Sequence, residues 1–141
     1  PVILSHLPLE YLIIMLGTND TKTHFHINAM ESGYGMEELL LKAKYVLQNK
    51  KAKTQIILVA PVPIEKSNDV MFDEDSVYKS REIPRVYYEI AKEYHCLFLE
   101  AGSIITKLGN DGIHFDKEAH RKLGKALSVI IKENDERRQM Q

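Results

Sequence analysis

Two stretches of this chain carry side chains that could work together as a general base and an oxyanion donor. In Asp111-Gly-Ile-His114 a carboxylate precedes an imidazole by three residues, and the glycine between them permits a tight turn. A carboxylate that holds Nδ1–H fixes the tautomer of the ring and stabilises the imidazolium that forms when the ring takes a proton. In Gly17-Thr-Asn19-Asp20, the amide of Asn19 could donate to the negative oxygen of a tetrahedral intermediate.

Each stretch alone also has a purely structural interpretation. Asp-x-x-His is common by chance, and Asp111 could simply cap the backbone of its turn. Gly, Asn and Asp are likewise frequent in tight turns for backbone reasons. The functional interpretation therefore depends on whether the surrounding elements bring the two stretches together.

Three short apolar runs predict strands. Tyr11–Leu16 is continuously apolar and stops at Gly17, which is typical of a strand covered on both faces. Residues 55–60, ended by Pro61-Val62-Pro63, and residues 96–99 show the same pattern.

Segments with helical spacing predict three helices. Asn28, with Glu31 three residues later, predicts the start of the first. Residues 64–78 are polar and acidic and predict a solvated loop, so Pro84 is placed in the first turn of the second helix. The last helix has an apolar face over residues 119–131, and the polar tail 133–141 is expected to fray.

This alternation of apolar strands and helices predicts an α/β fold with a parallel sheet flanked by helices on both faces. In such sheets ligands bind beyond the carboxyl ends of the strands. The Gly17–Asp20 loop follows the first strand, Val62 follows the second, and the Asp111–His114 loop lies downstream of the third. We therefore expect these polar groups to converge on one edge of the sheet.

Composition narrows the class of protein further. The 141 residues are 44% hydrophobic, which suits one globular domain or most of one. With 19 basic and 20 acidic residues the net charge is -1, so neither nucleic acid nor a membrane is expected as a partner. The only cysteine, Cys96, lies beside apolar residues and is expected to be an inert thiol, which fits a reducing, cytoplasmic location.

The order and spacing of the two motifs resemble the SGNH (GDSL-type) hydrolase family. Leu16–Lys22, Ala101–Ile104 and Asp111–Phe115 together are similar to its bacterial arylesterase/acyltransferase branch. The resemblance implies a flavodoxin-like, three-layer α/β/α fold and a serine esterase or acyl hydrolase, or an acyltransferase. Its substrate would be a small carboxylic ester, and no cofactor or metal would be needed.

The family also implies roles for individual residues. Asn19 corresponds to the side-chain oxyanion donor, Asp111 to the acid of the triad and His114 to its base. The loops after the strands would wall the substrate pocket and would contribute Val62, Ile113 and Phe115 as binding residues.

Two blocks of the family are missing from this sequence. They are a Gly-Asp-Ser that carries the nucleophile and a later glycine that donates its backbone N–H, and only sixteen residues precede Gly17. No serine, including Ser5, Ser32 and Ser103, lies in a Gly-Asp-Ser context, and Pro1 stands where a methionine would start the chain. Residues 1–141 are thus expected to be the C-terminal part of one domain, incomplete at its N-terminus. The first strand would then need the missing N-terminal segment or a homo-oligomer partner to cover its edge.

Three alternatives remain open from the sequence. The chain could be a catalytically inactive fragment. It could be a non-catalytic flavodoxin-like binding module, although no glycine-rich phosphate loop or acidic cluster follows the first strand. It could be a metal hydrolase that uses Asp20, His24, His26 and His114, although His-x-His in a polar loop is more often solvent-exposed. His120 is expected to be a packing or surface residue.

Overall fold

The computed structural model describes residues 2–141 as a three-stranded parallel sheet with helices on both faces, so the predicted α/β class is confirmed. The sheet has the order β1-β2-β3. Its strands are β1 (Tyr11–Ile14), β2 (Gln55–Ala60) and β3 (Leu97–Glu100), and the helices are α1 (Val2–Ser5), α2 (Ala29–Asn49), α3 (Glu74–Glu93) and α4 (Lys117–Gln139). Short 3-10 helices span Thr18–Thr21, Thr23–Phe25 and Ala101–Ser103.

Strand β2 is the centre of the fold because both of its edges are paired and both of its faces are buried. Ile13 of β1 lies beside Ile57, and Leu99 of β3 lies beside Val59. Ile57 and Val59 face a core shared with α4, whereas Ile56, Leu58 and Ala60 face a second core shared with α2 and α3. This alternation follows from the period-two geometry of a strand. The strand therefore carries apolar residues at every position from 56 to 60.

Helix α2 begins where the sequence predicts. The Asn28 side chain accepts from the N–H of Glu31 at 2.9 Å, and the Glu31 carboxylate accepts from the N–H of Asn28 at 3.0 Å. One face of α2 packs into the core through residues that include Met36 and Leu40. Gly33, which weakens the helix locally, lets α3 approach closely at Val86.

The predicted start of α3 is wrong by about three turns. The acidic residues at 73–75 do not form a solvated loop, because Asp73 caps the helix and accepts from the N–H of Ser76 at 2.9 Å. Pro84 consequently lies inside α3 rather than in its first turn. A proline there leaves the carbonyl of Ser80 without its helical donor. The Ser80 hydroxyl instead ties the helix to the chain after β2, accepting from the N–H of Ile64 at 3.0 Å.

The prediction that residues 133–141 fray is also wrong, because α4 continues to Gln139. Asn134 is buried and donates to the hydroxyl of Tyr11 at 2.9 Å, and that hydroxyl donates to Asp135. Arg138 lies over the Tyr11 ring. These contacts attach the end of α4 to the start of β1. None of the helices within residues 2–141 combines the length and apolarity needed to cross a bilayer.

Strand β1 differs from the prediction in length and in cover. It ends at Ile14 instead of Leu16, and it pairs with β2 alone within the described part of the chain. Ile13 keeps 43% of its surface exposed and Leu16 keeps 57%. A strand at a sheet edge presents unpaired backbone groups, so this apolar run is covered less completely than its sequence suggests.

Two glycines of α2 provide a matched test of this packing. An alanine at Gly33 would place its Cβ 2.5 Å from Val86 Cγ1, whereas an alanine at Gly35 would meet nothing within 4 Å. Both substitutions gain helix propensity of about 1 kcal/mol, but overpacking costs about 1–3 kcal/mol. We expect Gly33→Ala to lower the free energy of unfolding and Gly35→Ala to raise it, as measured by urea denaturation. Shifts of the same sign in both variants would contradict the close α2–α3 contact.

Candidate active site

A cavity of about 480 Å³ opens at the carboxyl ends of the strands. Its walls come from the segment after β1, the segment after β2 and the region around the start of α4. They consist of Met15, Leu16, Gly17, Thr18, Asn19, Pro61, Val62, Ile113, His114, Phe115 and His120. Five of the six site residues predicted from sequence line this one cavity, and the sixth, Asp111, contacts His114. The structure thus brings the two motifs to one edge of the sheet.

The Asp111 carboxylate bonds to both the ring and the backbone of its own loop. Oδ2 lies 2.5 Å from His114 Nδ1. Oδ1 accepts from the N–H groups of Ile113 and His114, each at 2.9 Å. The Asp111 carboxylate therefore caps the backbone of its turn and contacts the imidazole at the same time. Because an ionised carboxylate only accepts, the proton of this bond sits on Nδ1, and the Nε2 of a neutral ring remains available as a base.

The same contacts lower the pKa of Asp111 from 3.8 to about 2. The hydrogen bond from the His114 ring contributes most, followed by the backbone N–H groups of His114 and Ile113. A carboxylate that accepts several hydrogen bonds is stabilised in its charged form. The His114 side chain is itself 82% exposed, so the pair is open to solvent in residues 2–141.

Backbone bonds fix the loop that carries the pair. The N–H of Gly109 donates to the carbonyl of His114 at 2.8 Å, and the N–H of Glu65 donates to the carbonyl of Gly112 at 2.8 Å. The Glu65 carboxylate also accepts from the N–H of Leu108 at 3.3 Å. Gly112 has φ 72° and lies so close to Glu65 that an added Cβ would sit 3.2 Å from that residue's Cβ. The loop is thus bound to the segment after β2.

The Asn19 turn is a 3-10 helix at the end of β1. Gly17 before it has φ 129°, a conformation that favours glycine, and its carbonyl accepts from the N–H of Asp20 at 3.0 Å. The Thr21 hydroxyl donates to the carbonyl of Thr18 at 2.7 Å and closes the turn. Asn19 is exposed, and among residues 2–141 its side-chain amide forms no intramolecular hydrogen bond. The amide is therefore available to a ligand in the cavity.

His120 lines the cavity, so its interpretation as a packing or surface residue is incomplete. It lies in the first turn of α4, which begins beside the site, and its ring meets the ring of Phe115 edge-on at 5.4 Å. The sequence feature that could have identified His120 as a cavity residue is its position in the first turn of a helix that directly follows a site loop. Met15, Leu16, Thr18 and Pro61 also line the cavity, and none of the four is among the site residues predicted from the sequence.

The residues of the alternative metal hydrolase do not form a set of metal ligands in the part of the chain that the structure describes. Within residues 2–141 no group of three or more His, Cys, Asp or Glu side chains is placed to hold an ion. His24 and His26 are exposed, and the His24 ring lies 4.2 Å from the ring of Phe25. Cys96 is half-buried, and burial raises the pKa of its thiol.

Several solved structures similar to this one are esterases. An aryl esterase from M. smegmatis superposes with a TM-score of 0.83 at 33% identity, over 92% of this chain and 63% of that protein. A carbohydrate acetylesterase from Sinorhizobium meliloti superposes with a TM-score of 0.84 at 34% identity, over 93% of this chain and 64% of that protein. The chain has the SGNH-type hydrolase fold of these esterases.

More distant SGNH hydrolases share the fold. An acetylxylan esterase from Geobacillus stearothermophilus superposes with a TM-score of 0.62 at 22% identity, over 84% of this chain and 57% of that enzyme. Neither a protein-family model nor a curated protein sequence matches the chain significantly. The chain spans less than two thirds of the SGNH hydrolases named here.

The Asp111–His114 contact predicts an unusual carboxyl titration. Because the pKa is depressed in the folded state, the unfolded chain takes up this proton first, and the contact loses its stabilising effect as pH falls from about 4 towards about 2. Carboxyl ¹³C NMR should give a midpoint near 2 for Asp111. In His114→Ala the midpoint should rise, whereas in His120→Ala it should not move. A midpoint near 3.8 in the unmodified chain would contradict the contact.

Proposed function

We propose that this chain supplies the base, the orienting acid and one oxyanion donor of a serine esterase. The observation that carries the proposal is the common cavity of Asn19 and His114, with Asp111 bonded to the far nitrogen of the ring. The likeness to aryl and carbohydrate acetylesterases supports this activity over that of a non-catalytic binding module. The proposed serine lies in a further segment of the protein, outside residues 1–141, which would form the C-terminal part of the domain.

In this proposal the serine hydroxyl attacks the ester carbonyl while His114 Nε2 takes its proton. Asp111 holds Nδ1–H and stabilises the imidazolium, and the Asn19 amide donates to the carbonyl oxygen as it becomes negative. The proton on Nε2 then passes to the leaving alcohol, and an acyl-serine remains. Water, deprotonated by the same nitrogen, releases the acid and restores the serine. A second alcohol in place of water would give acyl transfer.

The proposed substrate is a small carboxylic ester. Leu16, Val62, Ile113 and Phe115 make much of the cavity wall apolar, which suits an acyl chain or an aryl group. His120 adds a polar group that could face the alcohol. We propose a soluble ester of an aryl or sugar alcohol rather than a lipid, without a metal or cofactor. The single thiol supports a reducing, cytoplasmic compartment.

The exposed edge of β1 is the proposed position of the serine-bearing segment. A second, largely apolar groove of about 320 Å³ runs along β1 and reaches Leu39 and Ala43 of α2. Met15 and Leu16 line both this groove and the cavity. A strand added along β1 would therefore end beside the candidate site. A segment absent from residues 1–141 is the favoured occupant because the similar esterases are longer than this chain.

The catalytic proposal predicts the kinetics of variants of the full-length protein. Asn19→Ala should lower kcat by about 10²–10³-fold with little change in KM, because the amide acts on charge that develops in the transition state. His114→Ala and Asp111→Asn should lower kcat by about 10⁴-fold or more. Hydrolysis of aryl acetates measures both effects.

His24→Ala serves as the control for these kinetics, because a metal hydrolase using His24 would lose activity and the serine esterase would not. A serine-reactive phosphonate should label the full-length protein and leave residues 1–141 unlabelled. Full activity in His114→Ala would refute the proposed base. Activity and labelling in residues 1–141 alone would refute the external serine.

The proposed edge contact predicts that residues 1–141 self-associate when they are prepared alone. Ile13→Lys should reduce this association, because a charge on an edge strand opposes pairing. Val129→Lys, on the exposed face of α4, should not, although Val129 has a similar exposed fraction of 47%. Sedimentation velocity measures the association. A monodisperse monomer of the unmodified chain would contradict an uncovered edge.

A further inference from the structure

Tyr87 is a buried titratable residue to which the proposed mechanism gives no role. It lies in the middle of α3, only 1% of its surface is exposed, and its hydroxyl reaches the end of β1. Burial raises the pKa of this phenol, so the hydroxyl keeps its proton. A buried hydroxyl of this kind is costly unless it finds a partner.

The partner of Tyr87 leads directly to the turn that carries Asn19. The Ser32 hydroxyl, 3% exposed in α2, lies 3.2 Å from the Tyr87 hydroxyl and donates to Asp20 Oδ2 at 2.7 Å. The carboxylate can only accept, which sets the direction of the chain: Tyr87 donates to Ser32, and Ser32 donates to Asp20. Two helices therefore hold the residue that follows Asn19.

Tyr87 also fixes the other end of the same turn. A Cβ added to Gly17 would lie 2.6 Å from the Tyr87 hydroxyl, so the backbone of Gly17 packs directly against this phenol. Asn19 thus lies between two residues that Tyr87 restrains, Gly17 by contact and Asp20 through Ser32. The side chain of Asn19 itself is exposed to the cavity.

We propose that Tyr87 and Ser32 are positioning residues that hold the Gly17–Asp20 turn so that the Asn19 amide faces the reacting carbonyl. The inference rests on the proposed esterase function, and it gives a role to buried groups that do not touch substrate. A displacement of about 1 Å at a catalytic group can cost about 10²-fold in rate, so an oxyanion donor on a short turn needs such support.

A second tyrosine hydrogen bond between these helices offers a control away from the turn. The hydroxyl of Tyr94, the residue that follows the last turn of α3, donates to Glu37 Oε2 of α2 at 2.9 Å. Neither Tyr94 nor Glu37 lines the cavity. Tyr94→Phe therefore removes a tyrosine hydrogen bond between the same elements without touching the turn.

The kinetic test compares Tyr87→Phe with Tyr94→Phe in the full-length protein, using an aryl acetate. We expect Tyr87→Phe to lower kcat about tenfold with KM unchanged and Tyr94→Phe to lower it less than twofold. In an Asn19→Ala background, Tyr87→Phe should have less than a twofold further effect, because the amide that it positions is gone. An equal loss of kcat in both backgrounds, or an equal loss in both tyrosine variants, would overturn the inference.

A second readout separates this inference from the esterase proposal. Relaxation of the ¹⁵N-labelled Asn19 side-chain NH₂ group should show greater mobility in Tyr87→Phe and no change in Tyr94→Phe. Ser32→Ala, which removes the middle hydroxyl of the Tyr87–Ser32–Asp20 chain, should increase the mobility of Asn19 in the same way. If Tyr87→Phe does not fold, Ser32→Ala takes its place in the test. Unchanged Asn19 mobility in Tyr87→Phe and Ser32→Ala overturns the positioning role. If the wild-type protein has no esterase activity but Asn19 still becomes more mobile in Tyr87→Phe, only the esterase proposal is overturned.

Discussion

The geometry of the candidate site depends on the backbone bonds that attach the 108–114 loop to the segment after β2. The Glu65 carboxylate accepts from the N–H of Leu108, and the Glu65 N–H donates to the carbonyl of Gly112, so one residue holds the loop at two points. The positive φ of Gly112 makes this approach possible. Because β2 is buried on both faces, these two bonds attach the exposed His114 imidazole to a rigid part of the core.

The parts of the fold that were predictable from sequence are those governed by local rules. The Asn28–Glu31 capping box, the apolar β2 and the inner face of α4 each follow from a few adjacent residues. The convergence of the site loops was also predictable, because the carboxyl ends of parallel strands lie at one edge of the sheet. The start of α3 differs from its prediction although Asp73 and Ser76 form a capping box, because a proline is usually tolerated only in the first turn and Pro84 lies inside this helix.

Other features depend on contacts between residues far apart in sequence. The helical tail of α4 persists because Asn134 and Asp135 meet Tyr11, a contact that no local pattern reveals. The Tyr87–Ser32–Asp20 chain likewise joins three elements. The exposure of Ile13 is not predictable from its apolar run, because such a run does not show which elements lie beside the strand.

Met15 and Leu16 border both the cavity and the apolar groove, and this shared border ties folding to catalysis in the proposed enzyme. A segment that docks along β1 would act thermodynamically as a ligand of residues 1–141, and its binding would raise their stability by RT ln(1 + [L]/Kd). If the protein were cut between the docking segment and residues 1–141, the two pieces could be recombined. Catalytic turnover and thermal stability would then both rise with the concentration of the docking segment, following one binding curve.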